Sequence, residues 1–126
     1  MTTATWAGKS GSVYAFELFP IGTEFNPVSA VYILCRPAPS LGITRRMEAL
    51  YVGETESLHD RLNSGLIQHD GLKRATQAGA TYVGVYRTEG TANRARIETD
   101  LRHALNPSCN AEAVPQNALM RFTLRT

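Results

Sequence analysis

Five polar side chains in this sequence have the chemistry to act on a phosphate ester: the phenols Tyr32 and Tyr51, the guanidinium Arg61, the carboxylate Glu98 and the amide Asn110. A carboxylate can hold a Mg²⁺ that keeps most of its waters, since that ion needs only one or two protein carboxylates. The cation and a guanidinium together stabilise negative charge growing on a phosphate. A phenol titrates near 10 in water and is a poor base, so nearby cations must lower its pKa. Each residue also has an ordinary reading. Tyrosine is enriched in strands, Glu98 has Arg94 and Arg102 four positions to either side as surface partners, and Asn110 follows a Pro-Ser-Cys turn.

The elements that must bring them together can be read from periodicity. VYAFEL at 13–18 alternates as a short strand, and AVYILC at 30–35 is an apolar β-rich run closed by Pro37 and Pro39. EALYVG at 48–53 reads as a strand paired antiparallel with it. Alternation puts Tyr32 and Leu34 on one face of the first, opposite Val31, Ile33 and Cys35. In the second, Leu50 and Val52 share a face and Tyr51 takes the other. Leu58, Leu62 and Leu66 then recur every fourth residue, a helical stripe that starts at a Ser57/Asp60 capping pair. Arg61 lies beside that stripe, where it can bury its stem and present its charge at the helix edge. Residues 70–78 form a second short helix stopped by Gly79. ATYVGVY at 80–86 is a strand, TANRARIETDLRHAL at 91–105 a helix ended by Pro107, and 119–124 a last strand. This order describes an α+β layered structure.

Composition sets the frame. A chain of 126 residues, 43% hydrophobic and 19% charged, fits one domain over 1–126 with a genuine core. No apolar run approaches the roughly 20 residues of a membrane span, and the polar N-terminus lacks a signal-peptide core. Two cysteines are too few for a disulfide framework, so a reduced, cytoplasmic protein is expected. The net charge is +2, with residues 1–35 at −1 and the remainder at +3. That asymmetry is weak support for a nucleic-acid partner.

The sequence resembles the GIY-YIG nuclease superfamily through AVY at 30–32, YVG at 51–53, the arginine of DRL at 61, IETDL at 97–101 and NPSCN at 106–110, in the family's order over a core of about 28–112. The resemblance implies a small three-stranded antiparallel sheet flanked by helices, here extended by terminal strands. It implies a divalent-metal-dependent endonuclease that cleaves DNA, duplex or single-stranded, with RNA a further candidate substrate. Carried over, Tyr32 and Tyr51 are the motif tyrosines, one of which helps deprotonate the attacking water. Arg61 binds the scissile phosphate, Glu98 holds Mg²⁺ or Mn²⁺, Asn110 supports the site by hydrogen bonding, and Gly53 lets the chain turn between strand and helix. Some relatives use a histidine near the arginine as base or phosphate ligand, which makes His69 a candidate; His59 and His103 have weaker claims. Ala30 stands where the family usually has Gly, and Tyr32 and Tyr51 are nineteen residues apart, wider than usual.

Two further readings compete with the nuclease: a non-catalytic nucleic-acid-binding module using the same basic groove, and a toxin or defence nuclease held off by an inhibitor protein. With no room for a separate DNA-binding domain, sequence specificity should be modest unless the chain forms a homodimer. Lys73 and Arg74 are candidate phosphate contacts, as are Arg36 and, in the inserted loop PAPSLGITRRM that follows it, Arg45 and Arg46. Replacing Arg45 and Arg46 by alanine should weaken DNA binding and flatten its dependence on salt. Binding titrations across salt concentrations check this, and an unchanged slope removes the loop from the interface.

Overall fold

A computed structural model describes residues 3–38, 46–65 and 69–110. Five strands form one antiparallel sheet: β1 (Thr3–Ala7), β2 (Val13–Pro20), β3 (Ala30–Pro37), β4 (Met47–Thr55) and β5 (Tyr82–Arg87), in the spatial order β1-β2-β5-β3-β4. Two helices, α1 (Asp70–Gln77) and α2 (Thr91–Leu105), complete an α+β architecture. The sheet thus has five strands, where a three-stranded sheet extended by terminal strands was expected. The N-terminal β1–β2 hairpin supplies the addition by pairing β2 with β5. Strand β1 escaped the sequence reading because TATWA is short and only Trp6 in it is fully buried. The strand expected at 119–124 lies outside the described residues.

Alternation in β3 is as expected and divides the core in two. Tyr32 and Leu34 join Leu58, Ala75 and Val83 on the α1 side. Val31, Ile33 and Cys35 join Ile97 and Leu101 of α2, together with Trp6, Tyr14 and Phe16 of the hairpin. Strand β4 departs from simple alternation. Leu34 pairs with Tyr51 and Cys35 with Ala49, so Leu50 is an extra residue. Such a bulge bends the strand and re-aims its side chains. Leu50 therefore packs on the α1 side next to Tyr51, while Val52 packs on the α2 side. The expectation that Leu50 and Val52 share a face fails for this reason.

The segment after β4 is also shorter than its leucine spacing suggested. Ser57 does accept the Asp60 N–H at 3.2 Å, as a capping residue should. The turn that follows is a single wide π-type turn at His59–Asn63. Helix α2 spans the residues its pattern marked, and Gly79 beyond α1 adopts φ +104°, a left-handed conformation open to glycine at little cost. No helix among the described residues is long and apolar enough to cross a membrane.

Phe16 is the centre of the α2-side core. It is fully buried, with its ring 5.4 Å from Trp6 and 5.5 Å from Tyr86. Phe16→Ala should cost about 3–5 kcal/mol, read as a lower denaturant midpoint at an unchanged m-value.

Candidate functional site

Tyr32 leaves the middle of the sheet toward α1 and is 1% exposed. Its hydroxyl lies 2.7 Å from Nε2 of His69. His69 is the N-cap of α1, and its Nδ1 accepts the Leu72 N–H at 3.1 Å. Those contacts fix the tautomer. With Nδ1 an acceptor, the proton of the neutral ring sits on Nε2, so His69 donates to the Tyr32 oxygen. Burial and the neighbouring Arg61 and Arg74 push the His69 pKa down to about 4, so it is neutral at pH 7. A neutral His69 with its only acceptor nitrogen on the helix end has no lone pair left for base chemistry. Its work here is to hold Tyr32.

The other members close around this pair. Tyr51 stacks on Tyr32 with ring centroids 6.1 Å apart, and its ring lies 5.2 Å from that of His69. The Arg61 guanidinium lies close enough to both phenols to interact with each. Burial opposes the Arg61 charge, but these phenol contacts outweigh it and raise its pKa. Tyr32 behaves contrary to the sequence expectation. Burial, joined by the adjacent Tyr51, raises its pKa well above the ordinary phenol range, and the pull of Arg61 downward is smaller. Tyr32 therefore keeps its proton well beyond the pH at which an ordinary phenol loses it, because almost no water reaches it.

Two glycines make the cluster possible. A Cβ on Gly53 would stand 2.6 Å from Cζ and Oη of Tyr32, and a Cβ on Gly71 would stand 2.2 Å from Cε2 of Tyr51. Gly53 is therefore not the turn residue expected. It lies inside β4, and its contribution is the space in which the Tyr32 phenol crosses the strand. Asn110 anchors the same strand from outside. Its Oδ1 accepts the Val52 N–H at 3.0 Å and its Nδ2 donates to the Val52 carbonyl at 2.9 Å. The Cys109 N–H donates to the Leu50 carbonyl. One amide thus serves as a strand neighbour for the residue between Tyr51 and Gly53.

Glu98 keeps different company. Its residue neighbours Ile97 and Leu101 pack on the α2 side of the sheet, and the charged groups that act on it are Arg102 and Glu54. Arg94, its expected partner, is 4% exposed and turns inward, where Nε donates to Glu54 at 2.8 Å. Burial pushes the Glu98 pKa up to about 7, with Glu54 adding to the rise and Arg102 opposing it. Among the described residues no three His, Cys, Asp or Glu side chains form a metal-binding group. The donors present are two carboxylates on the α2 side, Glu54 engaged by Arg94 and Glu98 beside Arg102. That set fits a cation that stays largely hydrated.

The basic residues divide by what they already hold. Arg36 donates through Nε to Glu48 at 3.0 Å and through Nη1 to the Ala78 carbonyl at 2.7 Å, so it is built into the fold. Arg74 likewise ties α1 to the Cys109 carbonyl at 2.9 Å. Arg46 is exposed, and Arg45 lies outside the described residues. Lys73 is exposed and shares with Arg61 and His69 a cleft of about 300 Å³. His59 sits 3.3 Å from a carboxylate oxygen of Glu24, away from the tyrosines. Sequence reasoning missed Gly71, Glu54 and Arg94. Their importance comes from contacts between distant elements, and no local pattern marks them.

Gly53→Ala should cost about 1–3 kcal/mol by overpacking against Tyr32. Because Oη is one of the two atoms met first, the cost should shrink when Tyr32→Phe is already present. A double-mutant cycle measured by denaturant unfolding checks this, and simple additivity would contradict the contact. No family model, curated protein or solved structure matches the chain.

Proposed function

We propose that the chain is a divalent-metal-dependent endonuclease that hydrolyses DNA phosphodiester bonds. The observation that carries this reading is the buried Tyr32–His69 pair, with Tyr51 stacked on it and Arg61 against both phenols, at a cleft also lined by Lys73. Among the described residues no carboxylate pairs with this guanidinium, and it presents a fork that matches phosphate oxygens. Lys73 adds a second positive charge on the same cleft. Tyr32, protonated and held by His69, orients the groups around it. Tyr51, half-buried where Tyr32 is fully buried, is the phenol assigned here to assist the attacking water. Asn110 keeps β4 in register beneath them. Glu98 is the residue that would hold Mg²⁺ or Mn²⁺, which when bound would stabilise charge developing on the phosphate.

The test is cleavage of supercoiled, linear duplex and single-stranded DNA with and without Mg²⁺ or Mn²⁺. Arg61→Ala, Tyr51→Phe and Glu98→Ala should each lower the rate by two or more orders of magnitude, on the order of the loss of one electrostatic stabiliser. Cleavage that survives both EDTA and Glu98→Ala overturns the mechanism.

A binding module without catalysis is the second reading. It is favoured by one observation: the charged neighbours of Glu98 are Glu54 and Arg102, not Arg61. Retained DNA binding with no cleavage of any substrate would select it.

The raised pKa of Glu98 gives a check on its role that needs no substrate. A carboxyl whose folded pKa is moved from 4.5 to about 7 adds stability that is full below 4.5 and is lost as the pH rises through 7. Glu98→Gln should therefore be more stable than the wild type at pH 8, with the difference vanishing below pH 4.5. Added Mn²⁺ should raise the melting temperature of the wild type at pH 8 and not that of the variant.

A further inference from the structure

The cleft that holds Arg61, His69 and Lys73 does not end at the charged groups. Leu62, Asn63 and Leu72 line it and also line an adjoining recess of about 160 Å³, whose remaining wall includes Phe25 and Val83. Three of these apolar side chains, Phe25, Leu62 and Leu72, are only half-buried. The polar side chains of the recess are turned to neighbouring backbone. Asn63 accepts from the Phe25 N–H at 2.7 Å and donates to the Thr23 carbonyl at 3.0 Å. The Thr23 and Thr76 hydroxyls each donate to a carbonyl at 2.7 Å. The recess therefore offers carbon surface beside a cationic cleft.

Taking the Arg61 cleft as a phosphate site, as proposed above, we infer that the adjoining recess receives one unstacked base of a single-stranded nucleic acid. Its size favours that occupant. An apolar cavity of about 150 Å³ accommodates a benzene ring, whereas whole small-molecule ligands occupy pockets on the order of 300–1,000 Å³. Its neighbours favour it too. Single-strand binding sites combine cations that track the backbone with an aromatic or apolar platform for the base. Arg61 and Lys73 provide the first, and Phe25 with Leu62 and Leu72 the second. With the wall's polar groups engaged locally, the recess selects for a flat ring and reads little of its edge. A base in a duplex must first leave its stack to enter, and a base in a single strand is already free of its pair.

The experiment is fluorescence-polarisation binding in EDTA, which separates affinity from cleavage. The probes are a labelled single-stranded oligothymidylate, the same strand made entirely of abasic residues, and a blunt duplex of equal length. Wild type should bind the normal strand on the order of tenfold more tightly than the abasic strand. Thr76→Trp, which fills the recess from its exposed rim without touching the core, should abolish that preference and leave duplex and abasic binding unchanged. Phe25→Ala should do the same, with Thr76→Trp as the safeguard if that variant unfolds. Arg61→Ala should weaken all three probes. Equal wild-type affinity for normal and abasic strands, or a Thr76→Trp variant that keeps the preference, overturns the base recess while leaving the nucleic-acid reading standing. Failure of the wild type to bind any probe overturns both.

Discussion

A phenol oxygen buried at the centre of a sheet must find hydrogen-bond partners inside the protein, because no water is there to supply them. Tyr32 imposes that requirement, and much of the surrounding structure meets it. The N-terminus of α1 lies where its capping histidine can donate to Tyr32. Strand β4 has glycine at the point where the phenol crosses it, and α1 has glycine where the stacked Tyr51 lies against it. Pairing of Leu34 with Tyr51 sets Tyr51 on the same side, and the bulge brings Leu50 there beside it. Removing any of these would leave the hydroxyl without its donor or the ring without its space.

The sheet divides the ionisable chemistry in two. On the α1 side, the protonated Tyr32 and the neutral His69 lie beside the guanidiniums of Arg61 and Arg74. On the α2 side, Glu54 and Glu98 lie near each other, and Arg94 is committed to the first. Burial acts on both sides in the same sense, against charge: Tyr32 and Glu98 resist losing a proton, and His69 resists gaining one. Shifts of this kind cluster at functional sites, although structural ion-pair networks produce them too. Strand β4 joins the two sides, and Asn110 holds it at the residue between them.

How much of this was legible in the sequence depends on the range of the interaction involved. Alternation in β3 and the pattern of α2 are local, and both were read correctly down to which residues share a face or where the helix ends. The faces of β4 were misread because a bulge has no signature in a run such as EALYVG. The wide turn at 59–63 was read as a regular helix because its leucine spacing fits either form. Gly53 was recognised as necessary, but for a turn; its real constraint is a side chain from another strand. The rise in the Tyr32 pKa was likewise invisible, since the sequence shows cations nearby in number and says nothing of solvent access.

Asp100, on α2, gathers the N-terminal hairpin through three hydrogen bonds. Its carboxylate accepts from the backbone N–H and hydroxyl of Ser10 and from the Tyr14 hydroxyl at 2.7–2.8 Å, and a Cβ on Gly8 would collide with it at 2.0 Å. The hairpin thus depends for its anchoring on elements that follow it in the chain. Strand β2 must wait for β5, and the hairpin loop for α2, both formed from chain some sixty to ninety residues further on. A two-stranded hairpin alone is marginally stable in water. Until α2 has formed, Trp6 and Phe16 have no helix to cover them, so the hairpin carries an open apolar face. Contacts of such long sequence separation slow folding.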